Sequence, residues 1–174
     1  MIHQVIEISL AQTPLGENEH GWTPKLYTYV LDNSPEIDLN RVRPAVIICP
    51  GGGYEYQSDR EGEPVALEFL KRGYQAFVLE YAVLEEQETQ GLLPYPQMDL
   101  AKAVAYVKEH QELWNVDGEK ITILGCSAGG NLCALYSGFY QQDWFEEKTG
   151  YSREQMQVHA MILCRSEERR VGKE

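Results

Sequence analysis

A chain of 174 residues, 43% hydrophobic and 24% charged, is long enough for one domain with a true core. Its formal net charge of −12 argues against a nucleic-acid partner, since a phosphate backbone calls for a basic surface. No run of about 18 apolar residues is present, and no basic segment leads into an apolar one at the start (MIHQVIEISL), so a membrane span and a secretory leader are not expected and a cytoplasmic protein is.

Residues 4–10 (QVIEISL) alternate apolar and polar side chains, as a half-buried strand does, and residues 26–31 (LYTYVL) repeat the pattern. The Gly- and Pro-rich stretch between them, residues 13–24, reads as a hairpin loop. After a polar connection at 33–44 comes a short continuous apolar run, residues 45–49 (AVIIC), expected of a strand buried on both faces. Residues 61–72 carry Val65, Leu67, Phe69 and Leu70 at roughly helical spacing, ended by Gly73. Residues 76–81 (AFVLEY) form the next strand, and a loop with Gly91, Pro94 and Pro96 follows. A helix then runs to about Gln111, with Asp99 as its cap and Ala101, Val104, Ala105 and Lys108 on one face. Residues 121–124 (ITIL) are a buried strand, 129–140 a helix and 158–164 (VHAMILC) a closing strand. Strand–helix alternation after an antiparallel start predicts an α/β fold, its sheet mostly parallel with an antiparallel N-terminal hairpin.

The four cysteines, Cys49, Cys126, Cys133 and Cys164, show no CxxC spacing. They read as buried thiols of a reducing compartment, not as a zinc site or a disulfide framework, and no metal or cofactor is expected.

Two segments carry chemistry. Residues 125–130 (GCSAGG) match G-x-S-x-G, and they follow the strand ITIL directly and open the next helix. That strand–turn–helix setting is a nucleophile elbow, which holds Ser127 out at the sheet edge near a positive helix end. Cys126 cannot share that geometry and is assigned to packing. Residues 50–54 (PGGGY) follow the strand AVIIC at once, and three glycines leave backbone N–H groups free to converge on an anion. Ester cleavage requires such donors, because attack on a carbonyl places negative charge on its oxygen. Gly52 and Gly53, with the N–H of Ala128, are the expected oxyanion hole, and Tyr54 is a candidate substrate contact. A plain flexible turn is the competing reading; a phosphate loop lacks its G-x-x-x-x-G-K-[ST] pattern.

CPGGGY, DREGEPVA, GYQAFVLEY, YPQMDLAKAV and ITILGCSAGGNL, taken in that order, resemble the bacterial esterase/lipase families that include acetyl xylan esterases. The resemblance implies an α/β-hydrolase fold, Ser127 as nucleophile, and Gly52, Gly53 and Ala128 as oxyanion donors. It implies a small-molecule or carbohydrate ester substrate, with short acyl groups such as acetate. The stretch Arg60-Glu61-Gly62-Glu63 fits the family pattern as a helix start near the site. A serine peptidase of the prolyl oligopeptidase type shares the elbow, and a non-catalytic binding protein that keeps the fold is a reading from another class.

In this fold class the triad runs Ser, then Asp or Glu, then His along the chain. His3, His20, His110 and His159 occupy none of the expected places, and Glu167 and Glu168 lie in the charged run 165–174 (RSEERRVGKE). That run resembles a translated sequencing adapter, so residues 1–164 are taken as the N-terminal portion of one α/β-hydrolase domain and 165–174 as an artefactual tail. An unpaired sheet edge and a tendency to aggregate are expected to accompany a missing C-terminal part. Without a histidine to take the serine proton, the purified chain is expected to show little or no turnover of a short-chain aryl acetate. A rate comparable to full-length relatives that Ser127→Ala abolishes would overturn this.

Overall fold

The computed structural model describes residues 1–8, 22–84 and 93–164. Most of the expected hairpin loop, with His20, and Gly91 and the charged run 165–174 lie outside the described residues.

Among the described residues six strands form one sheet: β1 (Val5–Glu7), β2 (Lys25–Tyr29), β3 (Arg43–Cys49), β4 (Gln75–Glu80), β5 (Val116–Cys126) and β6 (Ala160–Cys164), in the order β1-β2-β4-β3-β5-β6. The β1–β2 and β2–β4 pairs are antiparallel; β3 runs parallel to both β4 and β5, and β5 parallel to β6. This is the expected mostly parallel sheet with an antiparallel N-terminal hairpin, the α/β-hydrolase fold. The central strand β3 explains its own sequence: Ala45 to Cys49 are wholly buried because helices cover both faces. Each fully buried Ile or Val there contributes about 1.5–3 kcal/mol, so no polar alternation is tolerated.

One face carries α1 (Glu63–Lys71), whose Ala66 and Leu70 pack on Val46, Ile48 and Val78. A separate 3-10 turn, Asp59–Glu61, precedes α1, so the single helix expected over 61–72 is divided at Gly62. The other face carries α2 (Tyr95–Glu109) and α3 (Ala128–Phe139), joined by Phe145 of α4 (Asp143–Thr149) and Met156 of α5 (Arg153–Met156). Neither α4 nor α5 was expected from the sequence. They are short and have few apolar residues, and Phe145 and Met156 are buried in the core cluster that α2 and α3 also form.

Three expectations need correction. The helix expected to start near Asp99 begins at Tyr95, and Asp99 is no cap. Its Oδ2 accepts the Ala82 N–H at 2.8 Å, across from the end of β4, while Oδ1 is buried without a partner. The apolar face assigned to α2 is too narrow, because the helix is wedged against sheet and α3 and buries Met98, Leu100 and Ala103 as well. Cys164 is exposed, unlike Cys49, Cys126 and Cys133, because β6 lies at the sheet edge with all five of its residues exposed.

Burial pushes the Asp99 carboxyl up to about 7, against the smaller opposing pull of the Ala82 N–H and Lys102. The unfolded carboxyl titrates near 4, so between about 4 and 7 the folded chain holds a proton that the unfolded chain lacks. Stability falls over that window as pH rises, by on the order of 4 kcal/mol if all of the shift is expressed. Asp99→Asn keeps an oxygen for Ala82 and removes the titration. Melting temperatures from pH 4 to 8 are expected to decline less steeply in the variant than in the parent; identical slopes would show that Asp99 does not titrate there.

Candidate active site

The two chemical segments meet because β3 and β5 are adjacent and parallel, with Cys49 registered beside Gly125. Each strand therefore delivers its C-terminal turn to the same sheet edge, β3 into the glycine loop and β5 into the serine turn. Contact between the turns is intimate. A Cβ on Gly129 would overlap the Cys49 carbonyl oxygen, so only glycine allows α3 to start so close to the end of β3.

Ser127 stands between β5 and α3 with φ 51° and ψ −114°, a conformation that costs a non-glycine residue on the order of 1–3 kcal/mol. Two backbone bonds hold it: its N–H donates to the Cys164 carbonyl at 3.0 Å, and its carbonyl accepts the Asn131 N–H at 3.0 Å. The side chain is exposed, at the N-terminus of α3. Cys126 is buried, as a packing role requires, and burial first, then its neighbours Cys164 and Glu61, push its thiol up to about 12.

The glycine loop is wound in a left-handed sense: φ is 139° at Gly52, 67° at Gly53 and 65° at Tyr54. Its carbonyls are engaged, Gly51 with the Ser58 N–H and Gly52 with the Glu55 N–H. The Gly51 N–H donates to Glu61 Oε2 at 2.7 Å. Among the described residues, the N–H groups of Gly52, Gly53 and Ala128 have no protein acceptor. Tyr54, half-buried and bulky at a positive φ, is clamped twice. Its hydroxyl donates to Asn131 Oδ1 at 2.9 Å, and its carbonyl accepts the Leu84 N–H at 2.7 Å. The Tyr81 hydroxyl fixes the loop's start through the Pro50 carbonyl at 2.5 Å, and burial raises that phenol well above its ordinary value.

Glu61, Tyr81 and Asn131 are the supports that sequence reasoning missed. Glu61 was legible only as part of a helix start, and a tyrosine ending a strand or an asparagine opening a helix gives no sign of its partner. The described histidines lie elsewhere. His3 faces the Thr28 carbonyl, His110 sits at the end of α2 against Tyr106 and Trp114, and the His159 backbone N–H bonds the carbonyl of Ile121, midway along β5 and six residues from Ser127. Among the described residues, no cluster of His, Cys, Asp or Glu could hold a metal ion, and no helix is long and apolar enough to cross a membrane.

The family model described as BD-FAE matches residues 33–164. Endo-1,4-beta-xylanase B of Butyrivibrio fibrisolvens is 33% identical over 117 residues, 67% of this chain and 17% of that protein. An acetylxylan esterase of Xylanibacter ruminicola is 30% identical over 94 residues, 53% of this chain and 18% of that protein. Among solved structures, the carboxylesterase Cest-2923 from Lactobacillus plantarum WCFS1 superposes with a TM-score of 0.76 at 25% identity, covering 92% of this chain and 55% of that one. The chain thus spans under a fifth of these two curated relatives and about half of the similar structure.

Removing the Glu61 carboxylate leaves a buried Gly51 N–H without its acceptor, a loss of about 1–3 kcal/mol. Glu61→Ala is expected to lower denaturant stability by that amount and Glu61→Gln, which keeps an acceptor oxygen, by much less. Equal losses in the two variants would mean that the bond does not anchor the loop.

Proposed function

The chain belongs to the BD-FAE family, and from that premise we propose that it carries the nucleophile and oxyanion half of a serine carboxylic-ester hydrolase site. The observation that carries this reading is an exposed Ser127 in a strained turn beside a loop whose Gly52 and Gly53 N–H groups have no acceptor among the described residues.

In this reading Ser127 Oγ attacks the ester carbonyl carbon and gives up its proton to a base. The tetrahedral oxyanion accepts hydrogen bonds from the N–H groups of Gly52, Gly53 and Ala128. Collapse expels the alcohol and leaves an acyl-serine, which water then cleaves. In this class the base is a histidine held by a carboxylate, and none of the three described histidines stands at the Ser127 edge of the sheet. Tyr54 borders the loop, and its ring is our candidate for contact with the bound ester, since its hydroxyl is engaged by Asn131. The short-acyl carbohydrate ester is the substrate class we favour, on the strength of the similarity to an acetylxylan esterase and to an endo-1,4-beta-xylanase.

The loop's turn bonds, with Glu61 on the Gly51 N–H and Asn131 on the Tyr54 hydroxyl, support a reading in which the oxyanion donors are held in place ahead of the reaction. Incubation with 4-nitrophenyl acetate and added imidazole as an external base is expected to acetylate the peptide that contains Ser127, and Ser127→Ala to remove that adduct. Acetylation confined to lysines and indifferent to Ser127→Ala would overturn the assignment.

A further inference from the structure

A cleft of about 400 Å³ opens on the α1 face of the sheet, between the N-terminus of α1 and the paired strands β2 and β4. This is the size of a small ligand pocket. Tyr27 and Tyr29, two residues apart on β2, point to the same face, and Val78, registered beside Tyr27, completes the floor. Glu63 and Pro64 form the wall on the α1 side, and Asp59 and Glu80 stand at the rim. None of these residues belongs to the acyl-transfer geometry. The cleft lies on the β1–β2–β4 side of the sheet, remote from the exposed edge at β6.

The polar groups are arranged in pairs. The Tyr27 hydroxyl donates to Glu80 Oε2 at 2.7 Å, and the Tyr29 hydroxyl donates to Glu63 Oε2 at 3.0 Å. The bond to Glu80, with burial, pushes the Tyr27 phenol up to about 12, and burial, with the bond to Glu63, does the same at Tyr29. Both phenols therefore stay protonated at any ordinary pH and present oxygen lone pairs to a ligand.

Charge and polarity then select the occupant. Three carboxylates, Asp59, Glu63 and Glu80, line the cleft, and among the described residues that line it there is no lysine or arginine; Lys25 lies outside it, 3.4 Å from Glu80. An anionic ligand is repelled. A wholly apolar ligand would strip water from the carboxylates without replacing it, at a cost that its own burial does not offset. A neutral polyhydroxylated ring meets both demands, because its hydroxyls donate to the carboxylate oxygens while its C–H face lies on tyrosine, proline and valine.

We propose that this cleft is a binding subsite for a neutral pyranose unit of a carbohydrate ligand. The proposal rests on the carbohydrate-ester reading above. The connection to the acyl-transfer site is Pro50, which lines the cleft and begins the glycine loop. A saccharide seated here is anchored against the segment that carries Gly52 and Gly53.

The test is calorimetric titration of the chain carrying Ser127→Ala with xylotriose, a neutral trisaccharide, and with choline and glucuronate as charged probes. Saturable xylotriose binding is expected, unchanged at ~0.5 M NaCl, because no net charge is neutralised. Tyr27→Phe and Glu63→Gln are each expected to weaken it by at least about fivefold, with thermal melts confirming that both variants fold. Absence of saturable binding, binding unaltered in both variants, or tighter and salt-sensitive binding of choline would each overturn the subsite. Acetylation of Ser127, measured in parallel on the parent chain, keeps the outcomes apart. Its loss with sugar binding retained would defeat the ester reading, and sugar binding lost with acetylation retained would defeat the subsite alone.

Discussion

The parallel pairing of β3 with β5, which sets Cys49 beside Gly125, is the constraint on which the rest depends. Parallel strands end at the same edge, so a glycine loop and a serine turn far apart in sequence are delivered side by side. The pairing also dictates composition. Both strands are buried in the middle of the sheet, which demands the continuous apolar run AVIIC and the run ITIL, apolar but for the buried Thr122. Where the strands end, α3 must start against the backbone that leaves β3, and Gly129 is small because the Cys49 carbonyl fills the space of a side chain.

A site assembled in this way holds strained backbone, and the surrounding bonds show how it is kept. Ser127 and Tyr54 both have positive φ without being glycine. Ser127 is tied to β6 through the Cys164 carbonyl, so an edge strand with every residue exposed still fixes the elbow. Tyr54 is tied to α3 through Asn131 and to the chain leaving β4 through Leu84. That exit is held in turn by Asp99, which binds the Ala82 N–H from within α2. The buried carboxyl is therefore a support of the loop region from behind, and its raised pKa is the consequence of the burial that such a position requires.

The two faces of the sheet differ in kind. The face under α2 and α3 is thick and aromatic, closed by Trp114, Tyr136 and Phe145, and fully committed to packing. Among the described residues the face under α1 has a single α-helix, and toward β2 it leaves a space bordered by hydrogen-bonded tyrosine–glutamate pairs.

The sequence by itself determined the existence and chain order of the strands, though not that β5 starts as early as Val116, and with them the antiparallel start, the parallel remainder and the place of Ser127 between strand and helix, because hydrophobic period and the strand–turn–helix setting of GCSAGG are local properties. The three glycines after AVIIC were legible for the same reason. Only the tertiary structure decided that Asp99 supports Ala82 instead of capping α2, that α4 and α5 fold against α2 and α3, and that Cys164 is exposed. It also assigned Glu61 to the Gly51 N–H, and paired Tyr27 with Glu80 and Tyr29 with Glu63. Each of these is a contact between residues distant in the chain, fixed by strand order and register, and no local pattern of residue types encodes which distant partner a polar side chain will meet.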